Sequence, residues 1–114
     1  MTRIYKILPR RDWEAAQTAR RFDGSPVDRQ DGFIHFSTAA QAQETARRHF
    51  AGQEDLVVLA VEADDLGAAL KWEASRGGDL FPHLYAHLDA FLVREVTEAP
   101  LGPDGAPQTG LPRP

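Results

Sequence analysis

Leu56-Val57-Val58-Leu59-Ala60-Val61 is apolar at every position and free of Gly and Pro. A strand with one face in water alternates apolar and polar residues, so this run reads as a central strand covered on both faces. The flanking sequence has to supply the covers. Upstream, Arg3 to Leu8 (RIYKIL) is rich in β-formers and is stopped by Pro9, which makes a first strand. From Asp12 to about Arg20, Trp13, Ala16 and Ala19 or Arg20 recur at helical spacing behind an Asp placed to cap. Asp23 to Gly32 (DGSPVDRQDG) holds turn-formers and charges and reads as a loop. Phe33 to Ser37 is a short strand, and Thr38 opens a helix with Gln41 in capping-box register. Ala39, Ala42, Ala46 and Phe50 mark its buried stripe, and Gly52 ends it. Downstream, Leu70 to Ser75 alternates as a strand with Trp72 on the core side, and Arg76-Gly77-Gly78 is a turn. Leu80 to Leu88 reads equally as helix or strand, and Leu92 to Thr97 closes as a last strand. The expected architecture is α+β, a mixed, mostly antiparallel split sheet with two main helices.

A chain of 114 residues has room for one domain. The absence of cysteine excludes disulfides, thiolate zinc sites, iron–sulfur clusters and cysteine nucleophiles. It also suits a reducing, cytoplasmic setting. The opening residues MTRIYKILPRR lack the apolar run of a signal peptide, and no later stretch is long enough to span a bilayer, so no membrane partner is expected. A net charge of −4 with pI near 5.5 argues against a nucleic-acid partner. From Pro100 the chain turns to PLGPDGAPQTGLPRP, which offers little to bury. We expect a single domain over residues 1–99 and a flexible Pro/Gly-rich tail over 100–114.

Three stretches carry groups able to do chemistry. In Gly32-Phe33-Ile34-His35-Phe36-Ser37-Thr38, strand alternation puts Ile34 and Phe36 on one face and His35 and Ser37 on the other, ~7 Å apart by the usual strand rise. In Lys71 to Tyr85 (KWEASRGGDLFPHLY), Lys71, Glu73 and Ser75 share the polar side, and Arg76 precedes glycines where backbone can approach a ligand closely. The plainer readings are a hydrogen-bonded structural histidine and a surface ion network. His83 and His87 would share one face of a helix as a metal pair, but no third ligand follows in sequence, and no metal is expected. If the segment is extended, His83, Tyr85 and His87 line one face instead.

Four motifs in order, IYKIL, DGFIHFST, WEASRGG and FPHLY, resemble domain-of-unknown-function family 952 over about Arg3 to Val96. That family is thought to be related to the ADP-ribosyltransferase-like fold. In the NAD-dependent RNA 2′-phosphotransferases of that fold, a His-bearing strand leads into an Ala-bearing helix, which Gly32 to Ser37 with Ala42 and Ala46 resembles. The resemblance implies that His35 hydrogen-bonds a ribose or phosphate, and that a glutamate steadies an oxocarbenium-like ribosyl cation. Glu73 is the candidate for that role, on an earlier segment than the fold's late-strand glutamate. A His-Gly or Arg-Gly pair usually ends the first strand of the fold; here Tyr5-Lys6 stands in its place, which makes Lys6 a candidate ligand contact. The expectation is a polar cleft of Lys6, His35, Ser37, Arg76, His83 and Tyr85 around a nucleotide-like ligand of the NAD or ADP-ribose class, with His35 and Glu73 as the catalytic pair. Arg76 would hold phosphate. The alternative is a module that senses such a ligand without cleaving it.

Overall fold

The computed structural model describes residues 2–111, with Arg76 described through its backbone alone. In chain order the elements are β1 (Arg3–Pro9), α1 (Arg10–Ala19), β2 (Arg21–Phe22), α2 (Pro26–Asp31), β3 (Ile34–His35) and β4 (Ser37–Thr38), then α3 (Ala39–His49), β5 (Leu56–Glu62), β6 (Leu70–Ala74), β7 (Leu80–Leu84), β8 (Leu88–Asp89) and β9 (Val93–Glu98). The strands form sheets in the orders β4-β1-β5-β9, β3-β7-β6 and β2-β8, and the pairings are antiparallel. The fold is α+β with antiparallel sheets, and α1 and α3 are its longer helices.

All seven residues of β5 are buried between β1 and β9. Alternation divides them between two cores. Val57, Leu59 and Val61 pack with Ile4 and Leu8 of β1, Trp13 and Ala16 of α1, and Ile34 and Leu84 of the second sheet. Leu56 and Val58 pack with Ile7, Ala46 of α3, and Ala99. Each fully buried Val or Leu contributes about 1.5–3 kcal/mol, so β5 is the main hydrophobic anchor of the fold.

Several sequence expectations change in detail. Helix α1 starts at Arg10, with Pro9 as its cap, so Asp12 lies in the first turn, where it favours the helix dipole. The stretch expected as a loop over Asp23–Gly32 contains α2. Ser25 caps it, Pro26 occupies the first helical turn, and Asp28 closes a capping box back to the Ser25 amide. The short strand over Phe33–Ser37 is two: β3 belongs to one sheet and β4 to another, and between them the Phe36 amide donates to the Pro82 carbonyl at 3.0 Å. The segment over 80–88 is no helix: Leu80–Leu84 is β7, the chain bends at Tyr85 and Ala86, and β8 starts at Leu88.

Trp72 is not core. The alternation of β6 is as expected, but β6 is the edge of its sheet, and burial fades along it. Leu70 packs against the larger core, while Trp72, on the same face two residues later, is 41% exposed.

The expected flexible tail is docked over residues 100–111; Pro112–Pro114 lie outside the described residues. Gln43, buried on α3, donates through Nε2 to the Pro107 carbonyl at 2.9 Å, and its Oε1 accepts from the Thr109 amide and hydroxyl at 2.9 and 3.0 Å. Leu101 bridges Pro107, and Ala106, Pro107 and Thr109 are buried. Proline-rich chain loses little freedom on ordering, so a few buried hydrogen bonds suffice to hold it. Among the described residues no helix is long and apolar enough to cross a membrane.

Candidate functional site

The register of the β3-β7-β6 sheet sets one polar face. His35 pairs with His83, Lys71 pairs with His83, and Glu73 pairs with Phe81, so His35, His83 and Glu73 project to the same side. The two imidazole centroids are 5.6 Å apart. Phe33 stacks on His83 at 4.0 Å and also meets His35 at 4.5 Å and Tyr85 at 5.2 Å. Glu73 Oε1 accepts from the Tyr85 hydroxyl at 2.7 Å and from His83 Nδ1 at 2.8 Å. These donors, Tyr85 first, hold the Glu73 carboxyl below the usual carboxylate range. Hydrogen bonding to the same carboxylate pushes the Tyr85 phenol up.

On the other side of His35 lies a buried carboxylate. Asp28 is 1% exposed and receives the Lys6 ammonium at 2.9 Å, the Ser25 amide at 2.9 Å, the His35 amide at 3.2 Å and His35 Nδ1 at 2.6 Å. Burial raises its pKa, but the hydrogen bond from His35, the charge of Lys6 and the Ser25 amide outweigh that and hold the carboxyl well below its ordinary range. For Lys6 burial wins, lowering its pKa despite the partner. Gly24 leaves the room this arrangement needs. Its φ is +110°, and a Cβ there would come within 2.9 Å of the Asp28 Cβ. The outer nitrogen of His35, Nε2, lies 2.9 Å from Asp31 Oδ2. Both ring nitrogens of His35 thus face a carboxylate.

His35 opens onto a cavity of ≈ 1020 Å³ bounded by β1, α1, the α2 segment and α3. Lys6, Ser37, Arg11 and Arg29 share its wall with Phe22 and Phe50. A smaller hollow of ≈ 340 Å³ adjoins it, lined by Phe33, Tyr85 and His87, with Arg29 common to both.

The sequence profile of the family described as "Protein of unknown function (DUF952)" matches residues 7–96. The chain belongs to this family. The crystal structure of protein CC0527 from Caulobacter crescentus is 57% identical, covers 96% of each chain and superposes with a TM-score of 0.93. The solution structure of CC0527 is also 57% identical, covering 95% of this chain and 93% of that one, with a TM-score of 0.85. None of the curated proteins matches the chain.

In this DUF952 domain the residues singled out by sequence fall into two linked groups. Lys6, His35 and Ser37 line the larger cavity. Lys6 does so as the buried partner of Asp28, and the Ser37 hydroxyl is 2.9 Å from that of Thr45. Glu73 and His83 line neither cavity, and Tyr85 lines the smaller one. The two groups meet through the rings of His35, Phe33 and His83. The Arg76 side chain lies outside the described residues. His87 follows the bend at Tyr85 and Ala86 and lies 2.9 Å from Asp89, and among the described residues no His, Asp and Glu side chains group as a metal site.

Sequence reading missed Asp28 and Phe33, on which the contacts of this site converge. The Ser25-Pro26-Val27-Asp28 pattern is a legible capping box, and it locates the Asp28 carboxylate at a helix start. Its pairing with Lys6, 22 residues earlier, has no local signal.

Proposed function

We propose that this domain binds a phosphorylated, ribose-bearing small molecule of the NAD or ADP-ribose class in the ≈ 1020 Å³ cavity. The observation that carries this reading is His35. Its side chain is 34% exposed at the cavity wall, while Asp28, 1% exposed, grips Nδ1 from behind. The imidazole is fixed from the buried side, and on the cavity side its Nε2 meets only the exposed carboxylate of Asp31 at 2.9 Å, which a ligand oxygen can displace to reach an already oriented ring. The volume accommodates a nucleotide, and the phenylalanines of the wall suit an aromatic base. The His-strand leading into α3, as in the ADP-ribosyltransferase-like fold, supports a ribose or phosphate partner for His35.

Sensing without cleavage is favoured over transfer or hydrolysis at the ribose anomeric carbon. Stabilising a ribosyl cation requires a carboxylate facing the ligand. Glu73, the glutamate expected in that role, lines neither cavity and its Oε1 is taken by Tyr85 and His83, while the wall carboxylates Asp23 and Asp31 are held by Arg21 and His35.

The test is a titration of the protein with ADP-ribose and with NAD, following the histidine ring resonances. Binding in the cavity shifts His35, and His83 with it through the Phe33 contacts. Absence of any shift at millimolar ligand overturns the reading. Chromatography of the NAD after prolonged incubation separates the two versions, because a sensor leaves it intact.

A further inference from the structure

The cavity wall carries Lys6, Arg11, Arg21 and Arg29. Asp28 holds Lys6 at 2.9 Å, and Asp23 holds Arg21 at 2.8 Å. Arg11 in the first turn of α1 and Arg29 in the last turn of α2 are exposed, and among the described residues neither makes an ion pair. Elsewhere this chain pairs its arginines readily: Arg3, Arg10, Arg47, Arg48 and Arg94 each meet a carboxylate. Among the described side chains Arg20 is the other arginine without one, and it lies outside the cavity.

Two guanidinium groups without an ion pair on the wall of one cavity raise the positive potential within it. The domain as a whole is acidic, so this potential is local. Two wall carboxylates temper it. Asp31 is engaged by His35, and Asp12 follows Arg11 on α1. A guanidinium is a planar fork matched to two oxygens of a phosphate, and a diphosphate offers a pair of such edges. Arg29 lines both the large cavity and the smaller hollow, as the paired Arg21 and Asp23 do, which makes it the arginine without an ion pair at the partition where an extended ligand would pass.

We infer that Arg11 and Arg29 form an anion-holding jaw between α1 and α2 that takes the phosphate or diphosphate group of the bound ligand. The inference rests on the reading of this cavity as a ligand site and adds to it the residues that select a phosphorylated ligand over an uncharged one.

The experiment measures pyrophosphate binding at low salt by calorimetry for the wild type, Arg11→Gln, Arg29→Gln, the double variant, and Arg20→Gln. Each single wall variant should weaken binding about tenfold and the double should abolish it, because a charge-assisted hydrogen bond is worth at least that factor. Arg20→Gln should bind as the wild type does. The wall arginines are exposed and unpaired, so melting without pyrophosphate should be unchanged. Should either glutamine variant melt early, Arg11→Lys and Arg29→Lys, which keep the charge and lose the fork, should still weaken binding. The jaw is overturned if the wild type does not bind pyrophosphate, if the double variant binds it equally well, or if Arg20→Gln weakens it as much as Arg11→Gln. An adenosine arm separates this from the cavity reading. If adenosine shifts His35 in wild type and double variant alike while pyrophosphate affinity is also equal, the cavity stands and the jaw falls. If pyrophosphate needs both arginines while adenosine and ADP-ribose leave His35 unmoved, the jaw stands and the nucleotide reading falls.

Discussion

His35 and His83 sit opposite one another in paired strands with their rings inclined at 70°, and each is bonded to a different carboxylate, Asp28 for the first and Glu73 for the second. The two anions lie on opposite sides of the histidine pair in the chain of contacts. One is buried with a lysine, and the other is partly open to solvent beside a tyrosine. The two imidazoles are therefore oriented by separate carboxylates, although their rings share Phe33 as a neighbour.

Lys6→Met should destabilise the domain by about 3–5 kcal/mol, because it leaves Asp28 buried without its cation. The double variant Lys6→Met/Asp28→Leu should recover part of that loss, since no uncompensated charge remains. Urea unfolding of both variants and of Asp28→Leu completes the cycle. Simple additivity of the two single losses would show that the Lys6–Asp28 contact is not energetically coupled.

Acid should unfold the protein through Asp28. Its carboxyl titrates below its ordinary value of 3.8 when folded, so the unfolded chain binds the proton more readily. The stability it contributes is therefore complete above the unfolded value and is lost as pH falls through the folded one. Asp28→Asn should be less stable at neutral pH and show a shallower decline between roughly pH 5 and 2. Denaturation midpoints across that range check the slope, and parallel curves for variant and wild type would assign the acid sensitivity elsewhere.

Truncation after Ala99 should lower the melting temperature rather than leave it unchanged. The buried amide of Gln43 would lose the Pro107 and Thr109 partners, at about 1–3 kcal/mol for a polar group left unsatisfied. For a domain this size that is a drop of at least ~4 °C. Gln43→Leu in the truncated chain should restore some of it, because the unsatisfied amide is gone. Scanning calorimetry on the truncated chain and its Gln43→Leu version reads both effects.

The two tryptophans should behave oppositely. Trp13 is 8% exposed within the larger core, and its replacement by Ala should cost about 3–5 kcal/mol. Trp72 is 41% exposed at a sheet edge, so Trp72→Ala should stay near 1 kcal/mol. Chemical denaturation of both variants decides between them, and equal losses would mean that the edge of β6 is covered in solution.

What the sequence made legible tracks the range of the forces involved. β1, β5, α3 and β9 were readable because periodicity, caps and apolar runs are local, as in the Thr38–Gln41 box that does start α3. Alternation also pointed His35 to a polar face. The misreadings are of long-range origin. Nothing within β6 states that Trp72 overhangs the core, nor does the composition of residues 100–111 reveal that a buried glutamine on α3 awaits them. The meeting of Lys6, Asp28 and His35 depends on how three separate elements pack. α2 is the instructive intermediate case, since its turn-forming residues and its capping box are the same residues.

The Asp28 carboxylate serves two structures with one pair of oxygens: it caps α2 through the Ser25 amide and it holds His35 and Lys6. A six-residue helix has no independent stability in water. It therefore cannot fray at its amino end without loosening the cavity's histidine, nor can that histidine be released without weakening the helix. The rate at which the α2 amides exchange with deuterated solvent thus becomes a gauge of how tightly the cavity wall is held, and any molecule that braces His35 will also slow the opening of the helix behind it.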